Sequence, residues 1–445
     1  MAAADQLPQD VLADVLARLP PRNLAASRAV CREWRAAADA RCRLRADLLP
    51  ISVGGIFVAS NVAGPPDFFA RPSTAARGFA GGRLEHYVVP ARFVLSDDFP
   101  RIVDCCNGLL LLEEDYEDQV YVVNPATKEW ARLPPFPADF SEGNEGFGSY
   151  DDSPYLVFDP TLSPHYDAVV AMQIPFDCNG ILSEGLEWPP SLYIMRVYSS
   201  RTGRWEERHF ALEERFQGSI DGVRWLCDGR AAYWHGALYV QCNSHFVMRI
   251  NLSDDKYRLI KLPSGFNARV DHEFYLGKSK GGIHFATVTN YEERRLLIWF
   301  VDESADRMKW VLKRSISARA VIQHFWNNPH DQTDRPWILQ DYGFDQENNK
   351  GPNTPTVEEN LDWESDDDGA IYIKDCDDKL FGTTIFGFHP YKQIVFLHHS
   401  RVLAYHFDSS KVQDLGELDF KYPGHKNTTP FIYTPCQAGE LSGNN

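Results

Sequence analysis

The sequence predicts a bundle of three short helices at the N-terminus, followed by an all-β propeller of six or seven blades. Apolar residues recur at helical spacing between residues 7 and 35, whereas after residue 50 they follow the pattern of β-strands. A strand hairpin also recurs five times further along the chain. We therefore expect a helical module over residues 1–48, a propeller over residues 49–436 and a disordered tail over residues 437–445.

The N-terminal stretch predicts helices because its apolar residues form one stripe along a helix. The stripe of the first helix consists of Val11, Leu12, Val15, Leu16 and Leu19. Asp10 lies near the start of this helix, where a carboxylate favours the helix dipole, and Pro20 with Pro21 ends it. Three helices within about forty residues enclose too small a core to be stable alone, so we expect this module to bury apolar surface against a partner.

The order of the residues in this module resembles an F-box. The matching segments are Leu7-Pro8-x-Asp10-x-Leu12, Arg18-Leu19-Pro20 and Leu24-x-x-x-Arg28-x-Val30-Cys31-x-x-Trp34-Arg35. Proteins of the F-box family use this motif to dock on the Skp-type adaptor of a cullin-RING ubiquitin ligase. The resemblance implies that the adaptor-facing residues are Leu7, Pro8, Leu12, Val15, Leu16, Leu19, Pro20 and Leu24. It also implies that Val30, Cys31 and Trp34 pack the three helices together; the alternative is an ordinary helical hairpin that packs on its own domain.

The five repeated hairpins predict propeller blades. Their first strands are predicted at residues 108–112, 167–171, 236–240, 282–286 and 393–397, and their second strands at residues 120–123, 192–198, 246–250, 296–301 and 402–407. In three copies an aromatic residue follows the second strand at the same offset, from Asn124 to Trp130, from Ser199 to Trp205 and from Asn251 to Tyr257. Trp310 comes two residues later in its copy, and the last copy has no such aromatic residue. We expect these four rings to fill the gaps between neighbouring blades.

The blade count depends on the interval before the last hairpin, which is about twice the usual one. Either a degenerate blade or a long insertion occupies it. Residues 319–323, 336–340 and 370–374 are candidate strands, and the acidic insertion at about 345–378 is then a loop. Residues 51–96 offer one further blade, so we expect six or seven.

The repeats also resemble the F-box-associated and kelch-like propeller domains of plant F-box proteins. The segments that carry this resemblance are Cys-Asn-Gly-Leu-Leu-Leu-Leu (106–112), Asn-Pro-Ala-Thr-Lys-Glu-Trp (124–130), Ser-Ser-Arg-Thr-Gly-Arg-Trp (199–205), Trp-His-Gly-Ala-Leu-Tyr (234–239) and Gly-Phe-His-Pro-Tyr (387–391). The kelch double glycine is clear only at Gly281-Gly282. Together the two resemblances imply a substrate receptor of an SCF-type ubiquitin ligase, with the Skp-type adaptor and cullin complex as partners. The alternatives are a non-ligase scaffold and a propeller enzyme with a helical tail.

Composition and motifs argue against several other functions. The net charge of −17 and the pI near 5.3 argue against binding to nucleic acids or to anionic membranes. Nine cysteines without a spacing framework, and a start without a signal peptide, indicate reduced thiols in the cytoplasm or the nucleus. Phosphate-binding loops, nucleophile elbows and zinc-protease motifs do not occur, and His398 and His399 point to opposite faces of a strand. We expect no cofactor, no metal and no catalytic site.

One segment differs from the hairpin pattern and is a candidate for binding the target protein. Residues 323–345 combine aromatic residues and an arginine with Asn, Asp and Pro. Aromatic residues and arginine dominate the energetics of protein interfaces, and loops carry most recognition. The candidate target-binding residues are Phe325, Trp326, Arg335, Trp337 and Tyr342. The alternative is that these rings fill a degenerate blade.

Overall fold

The structure is a computed structural model that describes most of the chain after residue 53 and isolated positions before it. The described residues are 12, 15–16, 30–31, 34, 53–60, 66–71, 100–114, 119–135, 154–171, 189–214, 230–242, 246–263, 273–289, 294–304, 308–318, 321, 337–339, 371–372, 383–418, 428–436 and 441. Their strands assemble into six units, five with four strands and one with five, which we call blades 1 to 6.

Four blades use four consecutive strands. Blade 2 consists of β3 (Arg101–Cys106), β4 (Leu109–Glu114), β5 (Gln119–Asn124) and β6 (Glu129–Arg132). Blade 3 consists of β7 (Tyr155–Val157), β8 (Asp167–Ala171), β9 (Leu192–Ser199) and β10 (Arg204–Leu212). Blade 4 consists of β11 (Ala231–Trp234), β12 (Ala237–Cys242), β13 (Phe246–Asn251) and β14 (Lys256–Lys261). Blade 5 consists of β15 (Glu273–Ser279), β16 (Gly282–Val288), β17 (Arg295–Asp302) and β18 (Lys309–Ser317).

The other two blades recruit strands from elsewhere in the chain. Blade 6 consists of β21 (Thr384–Phe388), β22 (Ile394–His398), β23 (Arg401–His406) and β24 (Lys411–Glu417), with β20 (Ile371–Tyr372) on its outer edge. Blade 1 consists, from one edge to the other, of β25 (Thr428–Tyr433), β1 (Gly55–Ser60), β2 (Asp67–Ala70) and β19 (Ile338–Leu339). Both predicted strands of all five hairpins are therefore confirmed, although the innermost strands of the blades were not predicted.

The first strands of the blades form a closed ring around the central axis. Going round the ring, β3 contacts β7, β7 contacts β11, β11 contacts β15, β15 contacts β21, β21 contacts β25, and β25 contacts β3. The described part of the chain is thus a propeller, as predicted, and it has six blades. Blades 3 and 4 are additionally joined at their outer strands, because Leu212 of β10 pairs in parallel with Tyr257 of β14.

Blade 1 closes the ring by combining three distant segments of the chain. The C-terminal strand β25 pairs antiparallel with β1, from Gly55 opposite Tyr433 to Ser60 opposite Thr428. On the other side of this blade, Ile338 of β19 lies opposite Ala70 of β2. The prediction of a further blade within residues 51–96 is therefore confirmed, but only two of its four strands come from that stretch.

The predicted degenerate blade between the last two hairpins is wrong. Strands exist near two of the three predicted places, but β19 extends blade 1 and β20 extends blade 6. The third place is also wrong, because Val321 is helical. A two-residue strand cannot build a sheet of its own, and the closed ring leaves no place for a seventh blade. The long-insertion alternative is the correct one; of the acidic insertion at about 345–378, the structure describes only residues 371–372.

Each pair of neighbouring blades shares a buried apolar cluster, which explains the apolar runs of the sequence. In β4, Leu110 and Leu112 pack with blade 1, whereas Leu109 and Leu111 pack with blade 3. Successive side chains of a strand point to opposite faces, and both faces of a blade are covered by its neighbours. The interior strands therefore carry continuous runs of apolar residues.

The predicted aromatic anchors lie on the outer strands and pack against the preceding blade. Trp205 Nε1 donates to the Pro134 carbonyl oxygen at 2.8 Å, and Trp310 Nε1 donates to the Lys261 carbonyl oxygen at 2.9 Å. Tyr257 is buried and packs on Tyr193 of blade 3. Trp130 and Trp310 remain half-buried in their clusters. Their equivalence as anchors between blades is confirmed.

Trp337 is the matching anchor of blade 1. Its side chain is only 2% exposed, and its ring centroid lies 5.6 Å from that of Phe69. Its backbone N–H donates to the carbonyl oxygen of Leu415 on the outer strand of blade 6 at 2.5 Å. The part of the chain between β18 and β21 therefore supplies the indole ring that packs between blade 1 and blade 6.

The last residues of the chain differ from the expected disordered tail in one place. Leu441 is buried and belongs to the apolar cluster between blades 2 and 3, together with Cys436. The other residues of the predicted tail, 437–440 and 442–445, lie outside the described residues, so the tail stays a prediction.

We expect Trp337→Ala to lower the free energy of unfolding by roughly 3–5 kcal/mol, as deletions of large buried rings do. The reason is that the substitution opens a cavity between blades 1 and 6, where Trp337 packs. Urea unfolding of the full chain measures it, with Leu162→Ala as the control because Leu162 is 63% exposed. A Trp337→Ala midpoint equal to that of the control would contradict the anchor role.

Candidate functional site

The helical module is described at six positions, three of which lie on its first helix. Leu12 and Leu16 are buried at 6% and 0% exposure, whereas Val15 is 49% exposed. Residues four apart share one face of a helix, so Leu12 and Leu16 form the covered face. Their side chains are already covered within the chain. Of the three predicted adaptor-facing residues that the structure describes, Val15 is the one that presents an open apolar side chain. The predicted residues Leu7, Pro8, Leu19, Pro20 and Leu24 lie outside the described residues.

The residues expected to pack the three helices together are only partly internal. Val30 lies in a turn and is 63% exposed, and Cys31 is exposed as well. The predicted packing role is wrong for both, because their side chains are exposed rather than buried between helices. Trp34 is half-buried, and its backbone N–H donates to the Cys31 sulfur at 3.5 Å.

The predicted target-binding segment is described only at Trp337 and the strand after it. Trp337 is a buried anchor between blades, so its assignment to target binding is wrong. The alternative, that this ring fills a core, is the correct one at this position. Phe325, Trp326, Arg335 and Tyr342 lie outside the described residues.

The two faces of the propeller differ in their connections. The turn between the first two strands of a blade, and the turn between its last two strands, lie on one face, which we call the turn face. Asn107-Gly108 and His235-Gly236 are examples; their positive φ values are typical of tight hairpin turns. The connections from one blade to the next lie on the opposite face, which we call the loop face. Every innermost strand therefore runs from the loop face to the turn face.

The innermost strands line a central cavity of about 90 Å³. Its wall includes apolar and aromatic side chains such as Tyr275, Phe388 and Ile432. The charged residues among those lining it are Asp104, Arg230 and Lys278. Polar and apolar groups therefore contribute to its lining in nearly equal measure.

Arg230 lies at the loop-face end of the channel, directly before the first residue of β11. Its Nη1 donates to the Phe274 carbonyl oxygen at 2.9 Å, and its guanidinium carbon lies 4.8 Å from the centroid of the Tyr275 ring. Burial raises the pKa of Tyr275 to about 12, so this ring keeps its hydroxyl proton. The guanidinium is therefore held in a fixed plane at the mouth of the channel.

Lys278 lies towards the turn-face end of the channel. Its ammonium group donates to Asn107 Oδ1 at 3.2 Å and lies 5.4 Å from the Trp234 ring and 5.1 Å from the Tyr391 ring. Burial lowers the pKa of Lys278, while Cys106 and Asp159 oppose this effect. Because its contacts come from the first turns of blades 2 and 6 and the end of β11, Lys278 forms the floor of the channel.

Asp104 lies on β3, in the wall of the channel. Its Oδ1 accepts the backbone N–H of Cys105 and its Oδ2 that of Leu156, both at 2.8 Å. Burial raises its pKa from 3.8 to about 7, although both hydrogen bonds act in the opposite direction. Burial likewise raises the pKa of Cys106 to about 12, and its sulfur donates to the Phe158 carbonyl oxygen.

Arg230, Lys278 and Asp104 were not found from the sequence, because the innermost strands were not predicted. A signal was present at β15, where the Gly281-Gly282 turn before a predicted strand requires a partner strand ending at about residue 279. That partner contains Lys278. Among the described residues, no group of three His, Cys, Asp or Glu side chains is placed to hold a metal ion. No described helix has the length and apolar character needed to cross a membrane.

Comparison with known families decides the kind of propeller. The family model described as "F-box protein At3g26010-like, beta-propeller" matches residues 84–329, which is more than half of the chain. The chain belongs to this family. A second model, described as F-box-like, matches residues 4–47. An F-box-like module joined to an F-box protein propeller supports a substrate-receptor role in general, and the family suggests a non-catalytic adaptor.

Individual relatives agree with this assignment. The F-box/kelch-repeat protein At1g15680 of Arabidopsis thaliana is 24% identical over 325 residues, covering 70% of this chain and 72% of its own length. F-box protein At3g07870 of the same organism is 28% identical over 138 residues, 29% of this chain and 30% of its own. The solved structure of YCF48 bound to D1 peptide aligns over 82% of both chains at 9% identity with a TM-score of 0.33, a likeness that carries no argument.

The titration of Asp104 predicts a specific pH dependence. Between about pH 4 and pH 7 the folded chain holds a proton on Asp104 that the unfolded chain has released, since the folded pKa is the higher one. Raising the pH through this window therefore lowers the stability of the wild type. We expect Asp104→Asn, which cannot ionise, to gain stability relative to the wild type as the pH rises from 5 to 7.5, with little further change above it.

Chemical unfolding at a series of pH values measures this difference. Asp302→Asn is the matched control, because Asp302 is exposed and its hydrogen bonds to Ser304 hold its pKa below the ordinary value. The control should show no change over the same pH range. A difference between Asp104→Asn and the wild type that stays constant from pH 5 to 7.5 would contradict the raised pKa.

Proposed function

We propose that this protein is the substrate receptor of an SCF-type cullin-RING ubiquitin ligase. In this role the F-box-like module binds the Skp-type adaptor, and the propeller holds a target protein. The observation that supports this proposal is the presence of both parts in one chain, an F-box-like match at residues 4–47 and a propeller-family match at residues 84–329. The site of action is then the cytoplasm or the nucleus.

The propeller contributes to ubiquitin transfer by position rather than by chemistry. A bound target is kept at high effective concentration beside the conjugating enzyme, which converts a bimolecular step into a nearly intramolecular one. This effect needs a receptor that holds its shape. Six buried clusters between neighbouring blades make the ring such a body.

The loop face is the proposed side for target binding. Connections between blades vary in length without disturbing the strands, so recognition residues concentrate there. The remaining candidates Phe325, Trp326, Arg335 and Tyr342 lie outside the described residues, between β18 of blade 5 and β21 of blade 6 in chain order. Their role in target binding stays a prediction.

The exposure of Val15 on the F-box-like module leads to one prediction about adaptor binding. Val15→Asp should weaken binding to a purified Skp-type adaptor at least tenfold, because it places a charge where an exposed apolar side chain meets the partner. Leu162→Asp is the matched control, because Leu162 is also an exposed apolar residue and lies on the propeller. Isothermal titration calorimetry with the full-length chain measures both affinities.

The outcome separates a ligase receptor from other possibilities. Equal adaptor affinity for the wild type and Val15→Asp would contradict the proposed contact at this residue. Recovery of the adaptor without a cullin, when the wild-type chain is purified from cells, would favour the non-ligase scaffold instead. Leu16→Asp is a poor probe of the interface, because Leu16 is fully buried and its substitution would unfold the module.

A further inference from the structure

We propose that the central channel is a blind well which binds one carboxylate of an acidic peptide, entering from the loop face and pairing with Arg230. The identification of this peptide as part of a ubiquitination target rests on the proposed function. The binding site itself does not, because it depends only on the geometry and charge of the channel.

The two ends of the channel differ because all innermost strands run in the same direction. Arg230 contacts Phe274 near the start of β15, at the loop face. Lys278 lies four residues further along the same strand, which places it roughly 13 Å deeper at ~3.3 Å per residue. The cluster of Lys278, Asn107, Trp234 and Tyr391 occupies the deep end. A ligand therefore meets Arg230 first.

The charges of the channel favour an anion at Arg230, whereas the carboxylate of Asp159 already acts electrostatically on Lys278. Within the part of the chain that the structure describes, neither Arg230 nor Lys278 forms an ion pair with a carboxylate; their contacts are a carbonyl oxygen, an amide oxygen and aromatic rings. Asp104, the one acidic residue among those lining the cavity, uses both oxygens on backbone N–H groups. Two cations thus face a low-dielectric space in a chain whose net charge is −17. A carboxylate placed beside Arg230 offsets the cost of its desolvation.

Arg230 is prepared for this role by its own contacts. A guanidinium carries five N–H donors in one plane, and the described contacts use one of them, on Nη1. Stacking on Tyr275 fixes that plane before a ligand arrives, so little side-chain entropy is lost on binding. The unused donors can bind both oxygens of a carboxylate, the geometry in which arginine exceeds lysine.

The size and lining of the well select the form of the ligand. A cavity of about 90 Å³ holds a few water molecules or one side chain, and it is too small for a folded element. Tyr275, Phe388 and Ile432 give it apolar walls that suit the methylene groups of a glutamate side chain. An acidic side chain, or the C-terminus of a peptide, can form an ion pair with Arg230 while its apolar part packs against the wall.

The test uses the full-length chain and a fluorescein-labelled peptide of six glutamates, with hexalysine as the opposite probe, in about 150 mM salt so that long-range repulsion is screened. Fluorescence anisotropy should show binding of hexaglutamate and not of hexalysine. Arg230→Gln should weaken hexaglutamate binding about tenfold or more, because a charged hydrogen bond is lost, and Arg230→Lys should weaken it less.

Arg314→Gln is the matched control, because Arg314 is also half-buried and also donates to a backbone carbonyl oxygen, that of Phe407, but lies on the outer strand β18. It should bind hexaglutamate like the wild type. The thermal midpoints of both variants distinguish a loss of binding from a loss of folding. The comparison of hexaglutamate with hexalysine uses only the wild-type chain, so it does not depend on any variant folding correctly.

Three outcomes would overturn the proposal. These are equal binding of the two peptides by the wild type, equal hexaglutamate affinity in Arg230→Gln and the wild type, and displacement of the peptide by inorganic phosphate as effective as by free hexaglutamate. If the wild-type chain binds the Skp-type adaptor but not hexaglutamate, the carboxylate site is contradicted and the proposed function is unaffected. If it binds hexaglutamate but not the adaptor, the carboxylate site is supported and the proposed function is contradicted.

Discussion

The pairing of β25 with β1 is the interaction on which the rest of the structure depends. It joins the C-terminal strand to the first strand after the helical module and so closes the ring at blade 1. The chain continues from β25 onto blade 2, where Asn124 Nδ2 donates to the Cys436 carbonyl oxygen at 3.1 Å. Gly108 allows this approach, since it has a φ of 93° and a Cβ there would lie 2.6 Å from the Thr434 carbonyl oxygen. The C-terminal segment thus contacts blade 1 through β25 and blade 2 through Cys436.

Closure matters because no blade can bury both of its faces alone. An open ring would expose the cluster between blades 1 and 2 or that between blades 6 and 1, each rich in aromatic residues. It would also remove part of the central well, since Thr429 and Ile432 of β25 line it. The two binding functions proposed for the propeller, target binding at the loop face and carboxylate binding in the channel, therefore depend on the same strand pair. Because β1 is the first described strand after the F-box-like module, the strand pair that closes the ring also includes the strand that follows this module in the chain.

The sequence predicted the middle of each blade well and its two edges poorly, for physical reasons. Strands β4 and β12 are covered on both faces, so they appear as apolar runs, and the outer anchors keep a fixed offset from a turn. Two innermost strands, Ala231–Trp234 and Tyr155–Val157, are too short to give a periodic signal. Others, such as β3 and β15, mix polar with apolar residues because they line the channel, so they do not appear as apolar runs. Blade 1 was only half predictable, since its four strands come from three segments. Trp337 was misassigned because a ring in a polar, proline-containing stretch resembles a recognition residue, and only the three-dimensional contact with Leu415 distinguishes the two.

Hydrogen–deuterium exchange of the full-length chain tests the closed ring most directly. Amide protection reports the free energy of local opening, so strands that open only with the whole ring share the slowest rates. The closed ring predicts that β1 and β25 exchange as slowly as β12 and β13 in the interior of blade 4. Complete exchange of β1 and β25 while β12 and β13 remain protected would contradict it, because blade 1 would then open independently and the ring would not be closed by this pair.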